Sequence, residues 1–160
     1  MAAANIKPEI RAWYSHYLKN RTVTADVKGT RSIKRIKKGT PQGGVLSPLV
    51  WNLAFDDLLS QFDEGPVHIK GFVDDAVLLV CGPHPYTLVQ LMQRAINKAN
   101  AWGLSKGLTF SHEKTVAVIF SHKRDPTKLF PSLKLGSNDI SYEKQVRYLG
   151  ITLDLSLIHI

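Results

Sequence analysis

Two adjacent carboxylates, Asp74 and Asp75, interrupt the apolar stretch VHIKGFVDDAVLLVC between Val67 and Cys81. Strand-forming residues on both sides favour a β-hairpin over residues 67–81, with arms at least half buried and both carboxylates at the bend. Two like charges that lose hydration repel each other and need a counter-charge. Mg²⁺ suits them, because it takes one or two protein carboxylates and completes its shell with water and substrate phosphates. The pair therefore predicts metal-dependent phosphate chemistry, and the alternative is a plain β-turn, in which Asp is common.

A loop rich in glycine and proline precedes the carboxylates. It reads GTPQGGVLSP at residues 39–48, with three glycines and two prolines, so its backbone can approach a ligand closely. Ser47 is expected to be the N-cap of a helix with Pro48 at its first position, and loop and helix together should extend over residues 39–62. The expected inward face of this helix consists of Leu49, Val50, Leu53, Ala54 and Leu58.

Excess positive charge is confined to the first quarter of the chain. The net charge of the 160 residues is +8, and residues 1–40 hold ten Lys or Arg against Glu9 and Asp26, which accounts for all of it. Alternating residues around Lys28-Gly29-Thr30 predict a hairpin over residues 21–38. The cations of its second arm favour contacts with nucleic-acid phosphates, and a solvated surface is the alternative. These cations are Arg31, Lys34, Arg35, Lys37 and Lys38.

Length and composition describe one globular domain. The chain is 44% hydrophobic and 21% charged, and no apolar run is long enough to span a bilayer. Met1 is not followed by a signal peptide, so we expect an intracellular protein, in the nucleus or the cytoplasm, that is neither secreted nor membrane-bound. The single cysteine, Cys81, excludes an internal disulfide framework and a cysteine zinc site.

The remaining patterns predict an α+β fold. Apolar spacing indicates helices over residues 6–18 and 86–103, the second ending at Gly103. The apolar stripe of the second helix is Leu88, Leu91, Met92, Ala95, Ile96, Ala99 and Trp102. Strands are expected within residues 108–154. They are Leu108–Phe110, Thr115–Phe120 and a last alternating strand Tyr148–Leu153, with turns at residues 111–114 and 136–139.

The order of four motifs resembles a known family. GTPQGGVLSPLVWNL, FVDD, GLTFSHEKT and YLGITLD follow one another over roughly residues 5–154, as in the reverse transcriptases of non-LTR retrotransposons of the jockey and R1 kind. The resemblance implies a partial reverse transcriptase domain over residues 1–154, an incomplete polymerase palm with an antiparallel sheet and helices packed on one face. Residues 155–160, LSLIHI, look like a translated adaptor from library preparation.

The resemblance also implies a role for particular residues. Asp74 would ligate the two catalytic Mg²⁺ ions, with Asp75 beside it supporting the site and Phe72 packing beneath the metal site. Lys114 would lie near the triphosphate of the incoming nucleotide. The wall against the template base and the incoming nucleotide would be formed by Gly39, Pro41, Gln42 and Gly43. The primer end would be supported by Tyr148, Leu149 and Gly150.

The implied activity is RNA-directed DNA synthesis, in which a primer 3′-hydroxyl attacks the α-phosphate of a deoxynucleoside triphosphate. Two Mg²⁺ ions, which Mn²⁺ can replace, would stabilise the attacking and leaving oxygens. The implied partners are an RNA template, a DNA primer, deoxynucleoside triphosphates and the rest of a parent polyprotein with fingers, thumb and possible endonuclease.

One departure from the family pattern limits this expectation. The family has another metal-binding aspartate on a strand well upstream of the glycine loop, and Asp26, only thirteen positions before Gly39, does not fit that role. We therefore expect the 160-residue chain to be inactive as a polymerase by itself. Three alternatives stay open: a nucleic-acid-binding remnant of a decayed element, an unrelated metal-dependent phosphohydrolase and a purely structural domain.

Overall fold

The fold combines helices and short strands in two compact units. The computed structural model describes residues 6–19, 21–121 and 126–154, and the units are Met1–Ser60 and Gln61–Ile160. Three α-helices and nine strands, mostly antiparallel, occur in the described ranges, which confirms the α+β class. None of the described helices is long and apolar enough to cross a bilayer. The proposed adaptor at residues 155–160 lies outside the described residues.

The first unit begins with helix α1, Pro8–Leu18. Pro8 stands at the helix start, where its missing N–H costs nothing, and Glu9 follows in the first turn, where a carboxylate is favourable. Tyr14 is the one buried residue that the described part of α1 contains. The other aromatic residues of α1 therefore stay at the surface.

A fully exposed hairpin follows α1. Strands β1, Thr22–Val27, and β2, Thr30–Arg35, pair antiparallel around Lys28 and Gly29. Both turn residues have positive φ, 51° and 80°, as in a type I′ turn, whose twist matches that of the flanking strands. Because β2 ends at Arg35, the last two cations of the predicted arm, Lys37 and Lys38, lie beyond the strand.

Helix α2, Ser47–Leu59, closes the first unit and differs from the prediction at its start. Leu46 occupies the N-cap position, and the Ser47 hydroxyl donates a hydrogen bond to the Pro41 carbonyl at 2.7 Å. The prediction that Ser47 is the N-cap was wrong, because this hydroxyl ties the loop to the helix instead of capping it. A short 3₁₀ turn, Ser60–Phe62, follows α2.

The inward face of α2 was also misjudged in part. Leu58 is fully buried, as expected, but Leu49 is 56% exposed and Ala54 is exposed. Phe55, which was not on the predicted face, is buried and stacks on Trp51 at 5.8 Å between ring centroids. Phe55 and Leu58, three positions apart, therefore form the buried side of this helix.

The second unit starts with the hairpin β3, Val67–Phe72, and β4, Asp75–Val80. Helix α3, Pro85–Lys106, follows and extends three residues past the predicted end at Gly103. Its stop is Gly107, at φ 70°, with Leu108 N–H donating to the Gly103 carbonyl and Gly107 N–H to the Leu104 carbonyl, which is a Schellman motif. Gly103 lies inside the helix and is not its stop. An added Cβ at this position would lie 3.2 Å from the Leu108 carbonyl oxygen.

The remaining strands form two further sheets in the described residues. Strands β5, Val116–Val118, β6, Leu133–Leu135, and β7, Asn138–Glu143, have the order β5-β7-β6, and β5 is parallel to β7. Strands β8, Gln145–Tyr148, and β9, Ile151–Asp154, form a hairpin.

Two strand predictions in this region were wrong. Leu108–Phe110 is not a strand, because its first residue completes the stop of α3. Tyr148–Leu153 is not one strand: Leu149 and Gly150, at φ 49° and 84°, turn the chain between β8 and β9. The strands in the described part of the chain also pair as four separate sheets and not as one continuous palm sheet.

The core of the second unit lies between α3 and β6–β7. Its buried members are Val89, Ile96, Leu133, Leu135 and Ile140, and Leu78 of β4 packs against them. The Gln93 side chain joins α3 to the edge strand β6, donating to the Lys134 carbonyl and accepting from the Lys134 N–H, both at 2.8 Å. Nothing in the sequence pattern indicated this amide, because it satisfies a strand edge that is distant in sequence.

Tyr142 gives the second unit a pH-dependent stability. Its hydroxyl donates to the Pro131 carbonyl at 2.8 Å, and burial raises the pKa of this phenol above 10.0. A raised pKa in the folded state means that the unfolded chain loses the proton first, so stability is complete below pH 10.0 and falls as pH rises through the folded pKa. We expect the free energy of unfolding to decline less steeply above pH 10.0 in Tyr142→Phe, as measured by urea titration. Equal slopes for both proteins would contradict this.

Candidate active site

The two carboxylates sit at the tip of the β3–β4 hairpin. Phe72 pairs with Asp75 across the strands, so Val73 and Asp74 form the two-residue turn and Asp75 begins β4. Val73 has φ 53°, a left-handed conformation that is rare for a β-branched residue and costs on the order of 1–3 kcal/mol. Such backbone strain is concentrated at functional sites. The strained turn therefore marks this tip as more than a connection between two strands.

The hairpin is less buried than predicted. Val67, at the end far from the turn, is 8% exposed, but Phe72 is 56% exposed and both carboxylates are exposed. The prediction of arms at least half buried was wrong at the turn end. The reason is that α3 and the core cluster cover the middle and far end of β3–β4, through Leu78 among others, and leave the tip outside. Water therefore hydrates both carboxylates, and burial does not force a counter-charge on them.

The donor set at the tip fits a cation that keeps much of its water. Two adjacent carboxylates satisfy the usual protein contribution to a Mg²⁺ site. Among the described residues no group of three or more His, Cys, Asp or Glu side chains is placed to hold a metal ion. Asp26 lies on β1 of the first unit, opposite Arg31 in the strand register. Asp74 and Asp75 therefore stand without a third ligand of these types in the described residues.

The glycine loop belongs to the first unit and is held by its own backbone. Gly44 N–H donates to the Pro41 carbonyl at 3.1 Å, and Ser47 N–H donates to the Gly44 carbonyl at 2.9 Å. An added Cβ at Gly44 would lie 2.7 Å from the Ser47 hydroxyl oxygen and 3.2 Å from the Pro41 carbonyl oxygen, so a larger residue here would disturb the hydrogen bond between these two groups. The side chain of Gln42 is exposed. The loop therefore presents a fixed backbone and an available amide.

Arg21 is a loop contact that sequence reasoning missed. Its guanidinium donates from Nη2 to the Gly39 carbonyl at 2.6 Å and from Nε to the Leu18 carbonyl at 3.2 Å. It thereby joins the end of α1 to the start of the glycine loop. An arginine directly before a predicted strand gave no signal of this role, because its partners are backbone carbonyls.

Other predicted site residues lie in separate turns of the second unit. Lys114 is exposed in the turn at residues 112–114 that precedes β5. Tyr148 ends β8, and Leu149, 49% exposed, and Gly150 form the β8–β9 turn. The roles of these residues toward a nucleotide or a primer stay predictions.

The hairpin formed by β1 and β2, called the basic hairpin below together with Lys37 and Lys38, presents its cations on both faces. Arg31 and Arg35 share one face of β2 because they are separated by an even number of residues, and Lys34 lies on the other face. Lys37 and Lys38 follow the strand, and all five side chains are exposed. A two-stranded ribbon with cations on both faces can contact phosphates without burying a charge.

Residues 1–153 match the profile of the family described as reverse transcriptase (RNA-dependent DNA polymerase). A putative 115 kDa protein in type-1 retrotransposable element R1DM of Drosophila melanogaster is 26% identical over 145 residues, 91% of this chain and 14% of that protein. The RNA-directed DNA polymerase from mobile element jockey of the same species is 28% identical over 156 residues, 94% of this chain and 17% of that protein.

The match to a third relative covers a larger share of that protein's length. The retrovirus-related Pol polyprotein from type-1 retrotransposable element R1 of Nasonia vitripennis is 26% identical over 118 residues, 72% of this chain and 35% of that protein. The chain thus spans between about a seventh and a third of the length of these relatives. No solved structure matches it at a significant level.

Proposed function

Because the chain belongs to the reverse transcriptase family, we propose that it is a segment of the RNA-directed DNA polymerase of a non-LTR retrotransposon. The observation that carries this proposal is the exposed carboxylate pair, Asp74 and Asp75, at a hairpin tip with a strained Val73. A tip of this kind keeps its acids accessible to a metal and a substrate phosphate. The plain β-turn alternative does not account for a β-branched residue at positive φ.

In this proposal Asp74 holds the divalent cation, Mg²⁺ or Mn²⁺, and Asp75 supports it. The metal supplies charge neutralisation for the in-line attack of a primer 3′-hydroxyl on the α-phosphate. The chain's own contribution is to hold the two carboxylates next to each other, exposed to water, at the tip of the β3–β4 hairpin. Phe72, more than half exposed, offers an apolar surface beside them.

The other predicted residues take part in holding the substrates. The backbone of the glycine loop, Gly39 to Gly43, contacts the template base and the incoming deoxynucleotide. Lys114 contacts the triphosphate, and the β8–β9 turn at Leu149 and Gly150 supports the primer end. Catalysis of this type depends mostly on positioning and charge, so these residues matter as much as the carboxylates.

The proposal assigns RNA template, DNA primer and deoxynucleoside triphosphates as substrates, and the remainder of a longer polyprotein as partner. These substrates place the reaction inside the cell, in the nucleus or the cytoplasm. The 160-residue chain alone is expected not to extend a primer, because a two-metal site needs clustered carboxylates and its described part places no group of three or more His, Cys, Asp or Glu side chains to hold a metal ion. Primer extension by this chain that disappears in Asp74→Ala would overturn that expectation.

A nucleic-acid-binding remnant is the second candidate, and the basic hairpin favours it. Arg31→Gln/Lys34→Gln should lower the slope of log affinity against log salt by about 1.5 for RNA or duplex DNA, because each lost phosphate contact removes about 0.7–0.9. The measurement is fluorescence anisotropy with a labelled oligonucleotide between about 50 and 200 mM salt. The remnant hypothesis further predicts that Asp74→Asn leaves this binding intact.

The matched control removes two exposed cations of the second unit. Arg94→Gln/Lys144→Gln also lowers the net charge from +8 by 2 to +6, but both residues lie outside the basic hairpin. If both double variants lower the slope equally, binding reflects net charge and the hairpin has no special role.

A further inference from the structure

Helix α1 presents a stacked aromatic pair at the surface. The rings of Trp13 and Tyr17, one helical turn apart, have centroids 5.9 Å apart and planes within 8° of parallel. The two residues are 57% and 47% exposed, although large apolar rings gain free energy from burial. The pair therefore offers a flat, preformed platform that the described part of the first unit leaves open.

A groove adjoins this platform. Its volume is about 200 Å³, and its walls are the three aromatic residues of α1, Trp13, Tyr14 and Tyr17, and the segment Gly44 to Ser47 of the glycine loop. Tyr14 is 4% exposed, and its hydroxyl is buried without a hydrogen-bond partner. Tyr14 therefore contributes ring surface to the groove, while its hydroxyl is not accessible from it.

The charge of the surrounding chain indicates an anionic occupant. The described residues between 6 and 38 carry all ten Lys or Arg of this region against Glu9 and Asp26, a net charge of +8. An apolar peptide segment could cover the rings, but it would not neutralise this positive charge. A nucleic-acid strand supplies both phosphates for the cations and flat bases for the rings.

We propose that the Trp13–Tyr17 platform and the adjoining groove bind an unpaired base of a single-stranded nucleic acid. Aromatic rings beside a positively charged surface are the common basis of such binding, because every base has a face that can stack. The inference rests on the proposed function in that this segment handles nucleic acid.

The test measures binding of the 160-residue chain to a single-stranded oligouridylate by anisotropy, with an RNA–DNA duplex of equal length as the second ligand. Trp13→Leu should weaken single-strand binding about tenfold, since stacking of one base is lost, with an unchanged salt slope because no phosphate contact is removed. Duplex binding should stay the same, because paired bases are not available for stacking. Trp13→Phe keeps a ring and should stay within about threefold of the wild type.

The matched control is Tyr86→Leu, which removes an aromatic residue that is 66% exposed on α3 of the second unit. It should leave both affinities unchanged. Equal single-strand affinity of Trp13→Leu and wild type would overturn the platform while salt-sensitive binding through Arg31 and Lys34 persists. Absence of salt-sensitive binding by the wild type would overturn the nucleic-acid function itself. A dimer that Trp13→Leu dissociates would assign the platform to a second copy and overturn the proposal.

Discussion

Replacing Asp74 with asparagine should reduce primer extension about 1,000-fold when the segment is expressed within its complete reading frame. Asparagine keeps the size and the hairpin turn but removes the negative charge that holds a divalent cation. Metal-assisted charge stabilisation is worth several kcal/mol, and each 1.36 kcal/mol is tenfold in rate. The measurement is incorporation of labelled deoxynucleotide on an RNA template with Mg²⁺ or Mn²⁺. Asp75→Asn should reduce primer extension less than Asp74→Asn does, because Asp75 only supports the cation that Asp74 holds.

The control for this experiment is another exposed carboxylate of the second unit. Asp63→Asn changes the net charge by the same amount but lies outside the β3–β4 hairpin, so it should leave the rate unchanged. Anisotropy should show that Asp74→Asn binds template and primer as the wild type does. If extension persists at more than a tenth of the wild-type rate, Asp74 does not hold the catalytic metal and the assignment fails.

Local turn chemistry could be predicted from the sequence where glycine leaves little choice. Lys28-Gly29 gave the turn of the basic hairpin, and its positive φ at both residues follows from the I′ pattern. At α3 the same reasoning chose the wrong glycine. Gly103 looked like a helix stop, but it is a point of close approach to the Leu108 carbonyl, and Gly107 is the stop. Sequence alone does not separate these two uses of glycine.

The candidate site shows a different limit. The two acids were found because charge in an apolar stretch is costly, yet the structure places that charge at an exposed tip, where the cost is small. The strain at Val73 and the hydrogen bond from Arg21 to Gly39 had no sequence signal, because both depend on backbone geometry. The acids were therefore identified through an argument about burial that does not hold at the tip of the hairpin.

The largest stability effect is expected in the core of the second unit. Leu133 of β6 is 4% exposed and belongs to the cluster that includes Ile96 of α3. Leu133→Ala should lower the free energy of unfolding by about 2–5 kcal/mol, because the lost side chain leaves a cavity that strand β6 cannot close. This is a large share of the 5–15 kcal/mol typical of a domain.

Leu104→Ala provides the matched comparison, since it makes the same chemical change on α3 at a residue that is 61% exposed. Its effect should stay within about 0.5 kcal/mol. Urea titration followed by tryptophan fluorescence in a Trp13→Phe/Trp51→Phe background reports on the second unit alone. The reason is that Trp102, 6% exposed, is then the remaining tryptophan of the three. Equal losses for Leu133→Ala and Leu104→Ala would mean that α3 does not pack on β6. The hairpin that carries Asp74 would then lack the support that it receives from this core through Leu78.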